Sequence, residues 1–288
     1  MARLLESRWP EIKRSARDED EFHRTTALAT AVGCVEVGLA ALGISRQGRE
    51  GLQERLRRAN FTDFKGAPDG THLKNAIEAR NRAVHNHTIG DISECRKHVG
   101  TLYKAWCALR KVFVTKSNAA KLADAILRTE AVSQVFLFGS LAVPHGVQDP
   151  KDIDLLFFDD GEYSWWMSQY PGLGPEALLE EGFITTPPIQ AATRCGWLDY
   201  IFVDGTRFGI DRKYTLSLAQ SQLDPLFFVN ISASLRAFNP LTLRWTKTRP
   251  QIFERLAAIR RQLEIENIVP SAPTEGRSAR WKPRHLTR

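Results

Sequence analysis

FGSLAVPHGVQDPKDIDLLFF, residues 138–158, decides how the rest of this chain is read. It begins at the end of one apolar run, VSQVFLFGS (residues 132–140), and ends inside a second, DIDLLFFDD (residues 152–160); a third, WLDYIFVDG, follows at residues 197–205. Short runs of β-branched and aromatic residues that stop at Gly or Asp are strand signals. Asp152 and Asp154 lie two apart in the second strand, so the pleat puts both side chains on one face, about 7 Å apart along the backbone. Like charges held that close repel unless a cation sits between them. Hard oxygen donors with room left for water and phosphate suit Mg²⁺, with Mn²⁺ as its nearest substitute. Asp199, between Leu198 and Tyr200 in the third strand, offers a further carboxylate from a neighbouring strand. Upstream, Gly139–Ser140 ends the first strand in a tight turn, and the N–H groups of such a turn receive phosphate oxygens.

A lone Asp-x-Asp is a common solvated strand end, and Gly-Ser after a strand is an ordinary turn. Their combination is much less common: strand, Gly-Ser, Asp-x-Asp inside an apolar run, then an apolar-flanked Asp in a later strand. That combination resembles the nucleotidyltransferase superfamily, specifically the minimal nucleotidyltransferase (MNT) type related to polymerase β, over roughly residues 117–205. The resemblance implies a small mixed sheet with helices, two divalent metals, and an NTP such as ATP as donor. It implies that Asp152 and Asp154 hold both metals, that Asp199 holds one and helps deprotonate the acceptor hydroxyl, and that Gly139 and Ser140 grip the triphosphate. Minimal members usually read GSxARG after the strand, whereas this chain reads GSLAVPHG with Val143 in the Arg position. Lys151, immediately before Asp152, is the candidate replacement cation.

Moving outward, the texture of the chain changes near residue 115. Before it, apolar residues recur three and four apart over residues 20–45, 48–59, 71–88 and 91–113, which predicts helices. The break NFTDFKGAPDGT (residues 60–71) contains Gly66, Pro68 and Gly70, and Asp91 with Glu94 forms a capping pair before the last of these helices. Short connections between long helices imply antiparallel neighbours. After residue 117 come the amphipathic stretch KSNAAKLADAILRTE, the three strands, a helical stretch around residues 163–181, and a final helix opened by Thr248 and Gln251 with Pro250 in its first turn. The expected fold class is α+β in two domains. Residues 1–115 form an all-α bundle, residues 117–267 a small mixed-sheet domain, and residues 268–288 a basic, disordered tail. Trp165, Trp166 and residues 224–245 carry no assignment beyond packing or, where aromatics adjoin basic residues, base stacking.

In the helical half the string EARNRAVHNH (residues 78–87) contains Arg80, Asn81 and His85 in the pattern Arg-Asn-x-x-x-His, late in a predicted helix. This resembles the HEPN family of small helical domains, whose Arg-x(4–6)-His motif marks metal-independent endoribonucleases. The resemblance implies that His85 takes a proton from a ribose 2′-hydroxyl while Arg80 stabilises charge on the phosphate. Residues five apart on a helix are offset by about 140°. Arg80 and His85 therefore share a site only if the helix ends or bends, or if two chains build it, as HEPN homodimers do. His87, seven from Arg80, is the second choice. His87 also stands where related toxins carry the Tyr that their MNT partner modifies with AMP, leaving Tyr103 as the hydroxyl to consider.

Composition bounds the rest. The chain has 288 residues, 43% hydrophobic and 25% charged, which excludes whole-chain disorder, collagen and coiled coil. Net charge is +7, but residues 270–288 hold five basic residues against Glu275 alone, so the body is only weakly basic and the tail is the polyanion-attracting part. The scattered Cys34, Cys95, Cys107 and Cys195 form no metal-ligand spacing and suit a reducing cytoplasm. TTALATAVGCVEVGLAALGI (residues 25–44) is interrupted by Glu36 and reads as a close-packed bundle helix, and the N-terminal stretch has no apolar signal core, so no membrane partner is expected. HEPN and MNT domains commonly occur as adjacent partners. Together the two resemblances imply a fused HEPN–MNT protein of toxin–antitoxin or antiviral-defence type, with NTP and RNA as partners and a homodimer formed through the helical domain. Two alternatives stay open: an aminoglycoside-type small-molecule nucleotidyltransferase, although such enzymes usually place the helical domain second, and a non-catalytic nucleotide or RNA sensor.

Overall fold

The computed structural model describes residues 5–86, 88–128, 132, 134–143, 149–158, 186–203, 235–247 and 251–268. His87, the stretch around 163–181 with Trp165 and Trp166, the cap at Thr248 and Pro250, and the tail from 269 onward lie outside the described residues. What is described is an α+β fold, mostly helical, with one five-stranded mixed sheet.

The helical half contains α1 (Leu5–Ser15), α2 (Glu21–Ala41), α3 (Leu52–Arg58), a 3₁₀ turn (Phe61–Asp63), α4 (Gly70–His85) and α5 (Ile92–Phe113). Side-chain caps set several starts: Asp20 accepts from the Phe22 N–H, Asp69 from those of Thr71 and His72, and Asp91 from that of Glu94. The Glu94 carboxylate turns instead to His98, 3.2 Å away. Most of the apolar run at 25–44 lies in the central α2, which ends at Ala41; it packs against α1, α4 and α5 and so buries residues on several sides. Among the described residues no helix is long and apolar enough to cross a membrane. The α1 helix was not anticipated; it buries Leu5, Trp9 and Ile12 against the bundle.

The second half begins with α6 (Lys116–Leu127), capped by Thr115. It continues with β1 (Gln134–Phe138), the single turn α7 (Gly139–Ala142), β2 (Ile153–Phe158), α8 (Pro187–Cys195), β3 (Leu198–Val203), the hairpin β4 (Arg236–Asn239) and β5 (Arg244–Lys247), and α9 (Gln251–Ile265). Strand order is β3-β2-β1-β4-β5; β2 and β3 are parallel and the other pairs antiparallel. The three expected strands are present. The hairpin, which begins in the unassigned 224–245 stretch and runs two residues past it, is additional.

Residue 115 separates helical from mixed chain, but the buried core runs across it. Helix α8 packs along α2, and Trp197, fully buried, lies against Trp106 (ring centroids 4.6 Å) and Phe113 (5.8 Å) of α5. Gly38 of α2 makes the approach possible, since a Cβ there would stand 2.8 Å from the Trp197 ring and 3.1 Å from Leu109. Removing an indole so buried costs about 3–5 kcal/mol. Because the core is shared, Trp197→Ala should shift the urea midpoints of helix ellipticity and of near-ultraviolet tertiary signal together. A helical signal that keeps its wild-type midpoint while the tertiary signal moves would show the two halves to be independent.

Candidate metal centre

The register of the sheet builds this site. Asp154 of β2 stands directly beside Asp199 of β3, and on the other side Asp154 opposes Phe138, the last residue of β1. Since β1 runs antiparallel to β2, its C-terminal end and the Gly139 that follows meet the N-terminal end of β2. Asp152 lies one residue before β2 rather than inside it, but still two residues from Asp154. Carboxylate oxygens of Asp152, Asp154 and Asp199 all lie within 4.8 Å of one another. The three sequence candidates are brought together.

The glycine of Gly139–Ser140 has a steric reason. Its φ is +65°, and a Cβ built there would fall 1.9 Å from Asp154 Oδ2. A side chain at 139 and the Asp154 carboxylate compete for one space, so glycine is the residue that lets the carboxylate point at its neighbours. Ser140 is the second residue of the helical turn α7, and its buried Oγ has no hydrogen-bond partner among the described residues. Lys151 is exposed at the rim, where its charge favours the ionised form of Asp152.

The electrostatics are those of a site held together against repulsion. Burial, then the charges of Asp199 and Glu6, push the Asp152 carboxyl up to about 6. Burial, then Asp152 and Asp199, push Asp154 up to about 8. Two further residues were not found from sequence: Glu6 of α1 and the buried Arg110 of α5. Arg110 donates to Glu6 Oε1 at 3.1 Å and to Asp149 Oδ2 at 2.8 Å, tying the helical half to the segment that enters β2. Nothing local marks them, because the partners are 104 and 39 residues apart in sequence.

The other candidate site is not assembled within one chain. Helix α4 runs unbroken through Arg80 to His85, so the two side chains stay about 140° apart. Arg80 is half-buried and its guanidinium donates to Asn81 Oδ1 at 3.0 Å, while His85 is exposed at the helix end. Tyr103 packs edge-on against Trp9 with Lys13 Nζ over its ring, and burial raises its hydroxyl pKa. No protein-family model, curated protein or solved structure matches this chain.

The donor set fits a hard divalent cation: three converging carboxylates, two with protons held abnormally tightly, beside an orphaned hydroxyl. A carboxyl whose folded-state value lies above its ordinary 3.8 stabilises the fold fully below that value and loses the contribution as pH rises through the folded one. Melting temperature in EDTA should therefore fall as pH rises through about 6 and 8. Mg²⁺ or Mn²⁺ should restore it at the alkaline end, since cation binding stabilises the folded chain by about 2.7 kcal/mol at a hundred times its dissociation constant. Asp154→Asn should flatten both the pH slope and the cation effect. A wild-type cation response in that variant would remove Asp154 from the ligand set.

Proposed function

We propose that this chain is a metal-dependent nucleotidyltransferase that moves an NMP group, AMP when ATP is the donor, from an NTP to a protein or RNA hydroxyl. The observation that carries the reading is the convergence of Asp152, Asp154 and Asp199 beside Gly139–Ser140 at one end of a mixed sheet. Asp152 and Asp154 would hold Mg²⁺ or Mn²⁺ together with Asp199. Bound there, divalent cations neutralise polyphosphate charge and favour in-line displacement at phosphorus.

The chain's own groups have assignable tasks. Asp199, on the strand beside Asp154, takes the proton from the acceptor hydroxyl. That oxygen forms a bond to the α-phosphorus, the bond from the α-phosphorus to the oxygen bridging it to the β-phosphate breaks, and pyrophosphate leaves. Ser140 Oγ, which has no hydrogen-bond partner among the described residues, donates to a phosphate oxygen, and Gly139 leaves room for Asp154. Lys151 supplies a positive charge at the rim, in place of the Arg that Val143 replaces. In this reading residues 117–267 form the transferase part and residues 1–115 a HEPN-like bundle that packs against it, as in fused toxin–antitoxin or defence proteins.

The test is incubation with α-labelled NTPs and Mg²⁺ or Mn²⁺, with protein and RNA acceptors present. Label should appear on an acceptor, and Asp152→Asn and Asp154→Asn should each lower its rate by about a hundredfold or more, the scale of losing one essential electrostatic group. Unchanged labelling in both variants, or none from any NTP with the wild-type chain, would end the proposal.

Arg80 and His85 support a second activity, metal-independent RNA cleavage across a homodimer. The observation behind it is that Arg80 donates to Asn81 Oδ1 while His85 lies on another side of the same unbroken helix, so a site that uses both residues needs a second chain. Arg80→Ala and His85→Ala should each be inactive in EDTA, and mixing the two should recover cleavage through the one composite site that keeps both residues. No recovery on mixing would exclude a two-chain site.

A further inference from the structure

On the sheet face opposite the carboxylates, a groove of about 590 Å³ runs between α6 and the β4–β5 hairpin. The pleat fixes the faces: Leu137, which lines the groove, pairs with Leu155 on one side and Arg236 on the other, one residue out of phase with Asp154. Lys116 and Lys121 line it from α6, Arg236 and Arg244 from the hairpin. Among the described residues none of the four cations is paired with a carboxylate. The one acid in the lining, Asp124, is engaged at 2.6 Å by Arg128 outside it. Four cationic side chains lining one groove, with no carboxylate partner among the described residues, give it a positive potential that attracts an anion.

The remaining lining defines what kind of anion. The Trp245 N–H donates to the Lys116 carbonyl at 3.2 Å, and its ring packs on Phe238 at 5.2 Å. The indole is thus held in place with its polar atom already used, so it offers the groove a π-surface and no donor. Leu243 lines the groove from the hairpin turn with φ +52°, an outlier conformation for a leucine, and is more than half exposed. Lys116 and Lys121 are separated by about 7.5 Å of helix rise, and the hairpin cations lie across from them. Charges spread along both walls suit a run of phosphodiesters better than one phosphate, and a fixed aromatic face suits an unpaired base.

We infer that this groove binds single-stranded nucleic acid, with its phosphates between α6 and the hairpin and a base on Trp245. The inference does not depend on the carboxylates being catalytic. The test is anisotropy of a labelled twelve-residue oligouridylate titrated with the full chain in EDTA over a range of KCl concentrations. The logarithm of affinity should fall against the logarithm of salt with a slope of about −3 for four cations, and by about 1.4 less in Lys116→Gln/Lys121→Gln. Lys116→Arg/Lys121→Arg should keep both affinity and slope. Trp245→Leu should weaken binding about 5- to 150-fold, the effect of losing one base stack, at unchanged slope. Asp152→Asn/Asp154→Asn should bind as wild type, so failure of transfer and failure of this site are read separately. The inference is overturned if the wild-type chain does not bind the oligonucleotide, if Lys116→Gln/Lys121→Gln binds as wild type, if duplex RNA binds as tightly and indifferently to Trp245→Leu, or if replacing Arg277, Arg280, Lys282, Arg284 and Arg288 by Gln alone abolishes binding.

Discussion

Trp197 sits where the two halves of the chain meet, and its two ends do different things. Its indole is buried among Trp106, Phe113 and the bare backbone of Gly38, so apolar burial fixes it to the helical half. Its carbonyl accepts the Ile153 N–H at 2.9 Å, the first rung between β2 and β3. A shift of β3 by one residue would pull the indole out of its seat and turn Asp199 to the wrong face. The packing of one side chain in the bundle core thereby holds the register that puts Asp199 beside Asp154. The helices are in this sense part of the site, although they contribute none of its three carboxylates.

Arg110 gives a second link between bundle and site. It is buried, yet it bridges Glu6 on α1 and Asp149 on the segment entering β2. An isolated buried guanidinium is costly, and two carboxylate partners offset that cost. The bridge also bears on Asp152, whose proton Glu6 helps retain and Arg110 helps release. The charge state of the first carboxylate is therefore set partly by residues from the opposite end of the sequence, and the competing signs leave burial and Asp199 as the larger influences.

The legible parts of the sequence were those governed by short-range periodicity. The three strand runs, Gly-Ser at a strand end, and Asp capping a helix three residues on are all local, and each is present in the structure, although Asp152 falls one residue before its strand. The α1 helix is amphipathic too, with Leu5, Trp9 and Ile12 four and three apart, but eleven residues containing Pro10 and many charges gave only a weak periodic signal. The hairpin was missed for another reason. β4 and β5 have four residues each, too short to show alternation, and their turn has Asn239 accepting from the Leu241 and Thr242 N–H groups instead of the usual Asn-Gly signature. Arg110, Glu6 and Asp149 form a long-range cluster that no local pattern encodes. The Arg80–His85 motif shows the opposite limit, since a motif fixes residue types and spacing but helix geometry decides whether the side chains meet.

The sheet separates two concentrations of charge of opposite sign. One face carries three carboxylates that repel one another, and the other bears cations from α6 and the hairpin. Between them lie Ile153, Leu155 and Leu137, fully buried, and this packed apolar layer keeps the two sets of side chains out of direct contact, so they form no ion pairs with each other. Had the cations stood on the carboxylate face, they would have paired with Asp152 and Asp154 and lowered their pKa values. Had the carboxylates stood in the groove, a polyanion would have been repelled. Strand alternation, which places neighbouring residues on opposite faces, keeps Leu137 and Arg236 on one side and Asp154 and Asp199 on the other. The same period-two geometry that puts Asp154 and Asp199 on one face thus also keeps them out of contact with the basic groove behind.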